Sequence, residues 1–318
     1  MRKYVGALTI AVLLVAESAF AGSLQKHEVS RDANWMVHAD YESFCKSTIG
    51  KLIRTELAVQ GIEDKLKSFK TVYSFHPIDD IHDVTIYGQG EDKEKAVVLI
   101  EGQFDPEKLI AMVRMNAKHS EIPYGDVMLH RWLHEERKKD KVETQMMYGC
   151  VLKGRLVAMS AGLDAVKQAV DVLKGSAENA AGRSFDLVAQ AKGGVFFQAM
   201  ATDVGEMASQ EQRAVVLRQT DELGLVIGED EGKVYCSLGL SAKTAEVAQN
   251  VNKMLGGMIG LAALAGEGQP KLAEFVRHLK TSCEGNTVQL RFESDSQSLF
   301  DFLKEHWERQ QEQEDKVQ

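Results

Sequence analysis

The stretch "DVTIYGQGEDKEKAVVLIEGQFDPEKLIAMVRMN", residues 83–116, decides the reading of the fold. It opens with an alternating run over residues 84–88, passes through a Gly- and acid-rich turn at Gly88–Lys95, and returns as a compact apolar run at Ala96–Ile100. Alternation followed by a polar turn and a second β-rich run predicts a hairpin. Asp105 then precedes Pro106, so a capped helix begins there, with proline at the first position where its missing N–H is harmless.

Residues 223–255, "LGLVIGEDEGKVYCSLGLSAKTAEVAQNVNKML", repeat the order of strand, turn, strand and helix. Both turns carry Gly-Glu-Asp followed by a lysine, at Gly90–Lys93 and Gly228–Lys233. The endings match as well. "RLVAMSAGLDAVKQAVDVLKG" (155–175) and "NTVQLRFESDSQSLFDFLKEH" (286–306) each read as a strand running into a capped amphipathic helix, with Ser294 or Asp295 as the second cap. The pattern predicts an α+β protein of two similar halves, each an antiparallel sheet packed with helices. The first half covers residues 34–175, a junction covers 176–191, the second half covers 192–307, and a polar tail that frays covers 308–318.

Before the first hairpin, "NWMVHAD" reads as a strand. "YESFCKSTIGKLIRTELA" reads as one helix capped by Asp40, and a second helix follows over about Ile62–Phe69. Residues 127–134, "VMLHRWLH", alternate with period two. They put Met128, His130, Trp132 and His134 on one side, and they lead into a charged turn and two further strands.

The N-terminus carries a different signal. Arg2 and Lys3 precede a short apolar run, and Ala19–Ala21 supply a small-residue cleavage site before Gly22. This is the pattern of a secretory signal peptide over residues 1–21. It predicts export to a bacterial periplasm or the cell's surroundings. Removing Arg2, Lys3 and Glu17 moves the net charge from −9 to about −10. An acidic chain with no basic stripe argues against nucleic acid as a partner. The four cysteines, Cys45, Cys150, Cys236 and Cys283, are widely spaced and contain no CxxC, which excludes a zinc ribbon. An exported location leaves disulfides open, and no pairing among the four follows from their spacing.

The chain resembles a loose group of uncharacterised exported proteins of planctomycete-type bacteria. The shared features are "NWMVHAD", "DIHDVTIYG", "EGQFDPEKL", an "HRW" strand and "GRLVAMSAGLDAVKQAVDVLKG". These are architectural motifs of glycines, strand residues and caps. The resemblance implies a fold and an exported location, and carries over no site residues.

Chemistry-bearing patterns are sparse. There is no G-x-S-x-G elbow and no phosphate-binding glycine loop. His130 and His134 stand four apart, a zinc spacing on a helix, but on a strand they are separated by roughly 13 Å. With Trp132 they read instead as a contact surface on a sheet face. "FHPIDDIHD" (75–83) offers His76, Asp79, Asp80 and His82 as mixed nitrogen and oxygen ligands for a divalent ion. "MLGGMIGLAALAG" (254–266) reads as a core helix in which Gly256 and Gly260 allow close approach; a surface turned to lipid or a partner is the other reading.

The resulting expectation is an exported bacterial envelope protein with a non-enzymatic binding or structural role. Its partner would be another envelope protein, and no cofactor is expected. The alternatives are a metal-dependent hydrolase using His76, Asp79, Asp80 and His82, or a carrier of an apolar ligand held between sheet and helices.

Overall fold

The computed structural model describes residues 24–138, 141–183, 186–189, 193–207, 215–265 and 270–316. The signal-peptide segment lies outside them. The chain begins with β1 (Trp35–Asp40), α1 (Tyr41–Lys46), α2 (Thr48–Val59) and α3 (Ile62–Tyr73). It continues through β2 (Ile81–Gly88), β3 (Val97–Gly102), α4 (Pro106–Arg114) and β4 (Ser120–Tyr124). Next come β5 (Val127–Lys138), β6 (Lys141–Leu152), β7 (Leu156–Ser160) and α5 (Leu163–Leu173). The remainder is α6 (Asp186–Ala189), β8 (Val195–Thr202), α7 (Val204–Met207), α8 (Val215–Arg218), β9 (Thr220–Asp230) and β10 (Lys233–Ala242). It closes with α9 (Ala245–Ala265), α10 (Pro270–Arg277), β11 (Leu279–Glu284), β12 (Thr287–Asp295) and α11 (Ser296–Lys316). The protein is α+β, with helices set beside antiparallel strands.

Two compact units account for the chain. The first comprises Ser23–Glu42 and Gln60–Ser184; the second includes Ser43–Val59 and Phe185–Gln318. The division falls between Ser184 and Phe185. The segment Ser43–Val59, which the sequence reading assigns to the first half, belongs instead to the second unit. Its anchor is Glu229, whose carboxylate accepts from the backbone N–H groups of Thr48 (2.7 Å) and Ile49 (2.8 Å) at the start of α2. A carboxylate there satisfies otherwise orphaned donors and meets the positive end of the helix. Lys304 of α11 also pairs with Glu56 at 2.7 Å.

In the first unit the strands run in the order β1-β2-β3-β7-β6-β5-β4, all antiparallel. In the second unit the order is β8-β9-β10-β12-β11, also antiparallel. The β9–β10 turn is the expected acidic one. Glu231 and Gly232 both have positive φ (49° and 76°), the backbone of a two-residue hairpin turn.

The two faces of the first unit's sheet are filled differently. Leu99, Leu129, Leu156 and Ala158 are buried on one face. They lie on the side where Val166, Ala169 and Val170 of α5 are buried. Their strand neighbours Ile100, Val157 and Met159 point the other way and are only half-buried. In the second unit, Ala242, Ala248, Val251 and Val288 form a buried cluster.

Several local readings change. The single helix read over residues 41–58 breaks at Ser47. Its hydroxyl donates to Phe44 O (2.6 Å) and accepts from Gly50 N (3.0 Å), so the side chain closes one helix and opens the next. The charged residues after His134 are strand rather than turn: β5 and β6 pair from His130↔Gly149 out to Lys138↔Lys141. Strand β4 carries no clear sequence signal, because it is short and contains Pro123; as the last strand of the sheet order, it tolerates the missing donor. The backbone of α11 is helical from Ser296 to Lys316. Finally, α9 is not a core helix beyond its first half. Met254, Met258, Leu261 and Leu264 are 46%, 59%, 69% and 65% exposed, and a Cβ at Gly257 or Gly260 would meet open space.

Candidate functional site: an apolar cavity under helix α4

Helix α4 has Leu109, Ile110, Met112 and Val113 at helical spacing, and these residues face the looser side of the first sheet. Asp105 fixes its start: the side chain accepts from Lys108 N at 3.2 Å, with Pro106 in the first turn, as the sequence indicated. Below α4 lie Ile100 of β3, Val157 and Met159 of β7 and Val151 of β6. Phe75 and Phe104 contribute an edge-to-face pair, with ring centres 5.6 Å apart. Between roof and floor remains a cavity of about 240 Å³.

Trp132 and His130 of β5 also line the cavity. Trp132 lies across the sheet where it meets Gly149. A Cβ at Gly149 would come within 3.2 Å of Trp132 Cη2, 3.1 Å of Met159 Cγ and 2.8 Å of Ala158 O. The missing side chain makes room for the indole. His130 is 5% exposed, Trp132 is half-buried and His134 is exposed. The face carrying all three thus begins beneath α4 and ends in solvent.

At the cavity's edge the His130 ring stacks on His119, with centroids 5.4 Å apart and planes 22° apart. His119 Nε2 and His130 Nδ1 are 3.1 Å apart and share a hydrogen bond. Glu121 stands opposite His130 in the β4–β5 register, its Oε1 3.9 Å from His130 Nδ1. Arg114 Nη2 donates to that same oxygen at 2.6 Å. Burial holds the His130 pKa below its ordinary value, against the opposing pull of Glu121. The Arg114 guanidinium holds Glu121 low. Alternation over residues 127–134 singles out His130 but leaves His119 and Glu121 unmarked. The available signal was their alternate spacing two residues apart, but without β4 there was no face to put them on.

The other candidates sit between α3 and β2. Asp80 accepts from His76 N at 2.7 Å and pairs with Lys70 at 3.0 Å. Partial burial raises its pKa, but those two contacts outweigh it and hold the carboxyl low. The His76 ring is buried. Its Nδ1 accepts from the N–H groups of Ile78 (3.3 Å) and Asp79 (3.2 Å), and Nε2 has no hydrogen-bond partner among the described residues. Glu63 Oε1 lies 4.0 Å from Nε2, and Asp79 Oδ2 lies 3.3 Å from Nδ1. The structure thus gathers His76 with Glu63 and Asp79. Asp80 is turned to Lys70, and His82 is half-buried at the start of β2.

Asp83, the last residue of the 75–83 stretch, belongs to a separate set of carboxylates. Register places Asp83 beside Asp40 on β1 and Glu101 on β3. Burial, reinforced by the charges of Glu101, Glu28 and Asp40, pushes the Asp83 pKa up to about 7. No disulfide joins the four cysteines, and burial pushes the Cys150 thiol up to about 12, which keeps it protonated and unreactive. Among the described residues, no helix is long and apolar enough to cross a membrane.

No protein-family model matches this chain, and no curated protein matches it either. Solved structures do. Crystal form III of TP0453, a spirochete protein, aligns at a TM-score of 0.50 and 8% identity, covering 88% of this chain and 97% of that one. Crystal form I of TP0453 aligns at 0.48 and 9% identity, covering 89% and 97%. At such identity the likeness concerns the fold alone.

Proposed function

We propose that this protein is an exported, non-enzymatic binding protein whose first unit holds a small apolar molecule between α4 and the sheet. The observation that carries the reading is the cavity itself: about 240 Å³, bounded almost wholly by aliphatic and aromatic side chains. An apolar cavity of roughly 150 Å³ already stays dry and accepts benzene. At roughly 24 cal/mol per Å³, filling 240 Å³ sets a ceiling of about 6 kcal/mol. That corresponds to a Kd in about the tens of micromolar. The volume suits a medium-length acyl chain or a compact aryl group. The second unit's cleft is a poorer candidate, since Arg277, His278, Lys280 and Arg291 line it.

Export rests on the N-terminal charge, apolar run and small-residue cleavage pattern. A further part of this reading is that the two units are copies of one arrangement. In each, a first strand borders a hairpin, and the unit's last strand inserts beside that hairpin's second strand, as in β1-β2-β3-β7 and β8-β9-β10-β12.

Titration of the purified protein with N-phenyl-1-naphthylamine tests the binding reading. Saturable fluorescence enhancement that a medium-chain fatty acid displaces is expected. Enhancement that fails to saturate, or that survives unchanged when Val157→Phe fills the floor, contradicts it.

A further inference from the structure

We infer that His119, Glu121 and His130 form a binding site for a zinc-class transition-metal ion. Strand alternation puts His119 and Glu121 on the same side, and the β4–β5 register sets Glu121 opposite His130. Their donor atoms, one from each residue, lie within 4.8 Å of one another. A tetrahedral zinc ion with bonds of about 2.0–2.2 Å keeps its donors roughly 3.3–3.5 Å apart. The observed 3.1 Å between the imidazole nitrogens and 3.9 Å from His130 Nδ1 to Glu121 Oε1 bracket that spacing. Small side-chain rotations therefore bring all three onto one ion.

The chemistry of the donors agrees. Two imidazoles and one carboxylate suit zinc, with a fourth position left for water. Burial fixes the His130 ring, and stacking orients His119 against it. Without an ion, the two nitrogens share one proton in a hydrogen bond. Binding leaves each ring neutral with its proton on the other nitrogen, a change of tautomer that frees both facing nitrogens for the ion. Arg114 is the opposing charge. It contacts Glu121 through Oε1, from both Nε (2.9 Å) and Nη2 (2.6 Å), and is itself exposed. It can stay as the carboxylate's outer partner while Glu121 turns its other oxygen to the ion.

The site requires no apolar ligand, so it stands or falls apart from the binding reading above. The untagged protein, stripped with a chelator, is titrated with zinc alone against a chromophoric competitor, and with cobalt(II) for its visible spectrum. Uptake of one equivalent is expected, with an intense tetrahedral cobalt band. His119→Ala and Glu121→Gln, both on partly exposed side chains, each weaken uptake by more than roughly tenfold. His119→Ala leaves naphthylamine binding intact, because His119 does not line the cavity. Absence of competitive uptake overturns the inference. So does undiminished uptake in His119→Ala, or a loss seen only in His76→Asn, which would assign the ion to the Glu63–His76–Asp79 group.

Discussion

The two faces of the first unit's sheet are built from the same strands, yet they end in different states. On one, Leu99 and Ala158 are buried, in register with each other and on the side of α5. On the other, Ile100 and Val157 are also in register, but they lie half-buried below α4, with about 240 Å³ left over. Composition does not separate them, since both are aliphatic. The difference lies in the helices. The central residues of α5, Val166, Ala169 and Val170, are small or β-branched and fit close to the strands. Leu109, Ile110 and Met112 of α4 are longer, and Phe75, Phe104 and Trp132 hold the edges. A tightly filled face supplies stability; a loosely filled one leaves volume for a ligand.

The largest effect that can break this comparison is a pair of truncations. Leu99→Ala removes a fully buried side chain and should cost about 3 kcal/mol. Ile100→Ala, its half-buried neighbour, should cost about 1 kcal/mol. Urea unfolding followed by circular dichroism measures both, and equal costs would mean that the faces are packed alike. The reverse change sharpens the point. Val157→Phe should abolish uptake of an apolar probe while leaving the unfolding midpoint within about 2 °C of wild type or above it. Ala158→Phe, one residue along, should prevent stable folding.

Much of this frame could be read from the residues. Asp105 and Pro106 marked the start of α4, and the alternation from Val127 marked β5 as strand and not a zinc helix. The cavity could not be read. It depends on how far α4 stands from the floor, and that distance is set by ring contacts such as Phe75–Phe104 between residues distant in sequence. The cluster around Asp83 was hidden for a related reason: only register makes Asp40, Asp83 and Glu101 neighbours. The exposed stretch of α9 looked like core because apolar residues predict burial only when another element covers them.

Asp83 supplies a pH dependence. Its folded-state pKa, about 7, is raised above the ordinary carboxyl value, so the folded protein holds a proton that the unfolded chain gives up. Its contribution is therefore most favourable below about pH 4 and declines as pH rises to about 7. Asp83→Asn should raise the unfolding temperature by a few degrees at pH 8 and by less at pH 5, measured by calorimetry. A smaller gain at pH 8 than at pH 5 would contradict the assigned cause. The smallest expected effect is at the cap of α4. Asp105→Ala should cost about 1 kcal/mol and speed release of a bound probe in stopped-flow measurements, because the cap steadies the cavity's roof. A change in stability without a change in release rate would separate α4 from ligand retention.

The central claim is that an apolar ligand enters beneath α4, and Trp132 on the cavity wall can report it directly. In a Trp35→Phe/Trp307→Phe background, a medium-chain fatty acid brominated near its tail should quench Trp132 fluorescence saturably, with a midpoint no tighter than about the tens of micromolar. Val157→Phe should remove that quenching. Quenching that only rises linearly with concentration, equal in both proteins, would contradict the account.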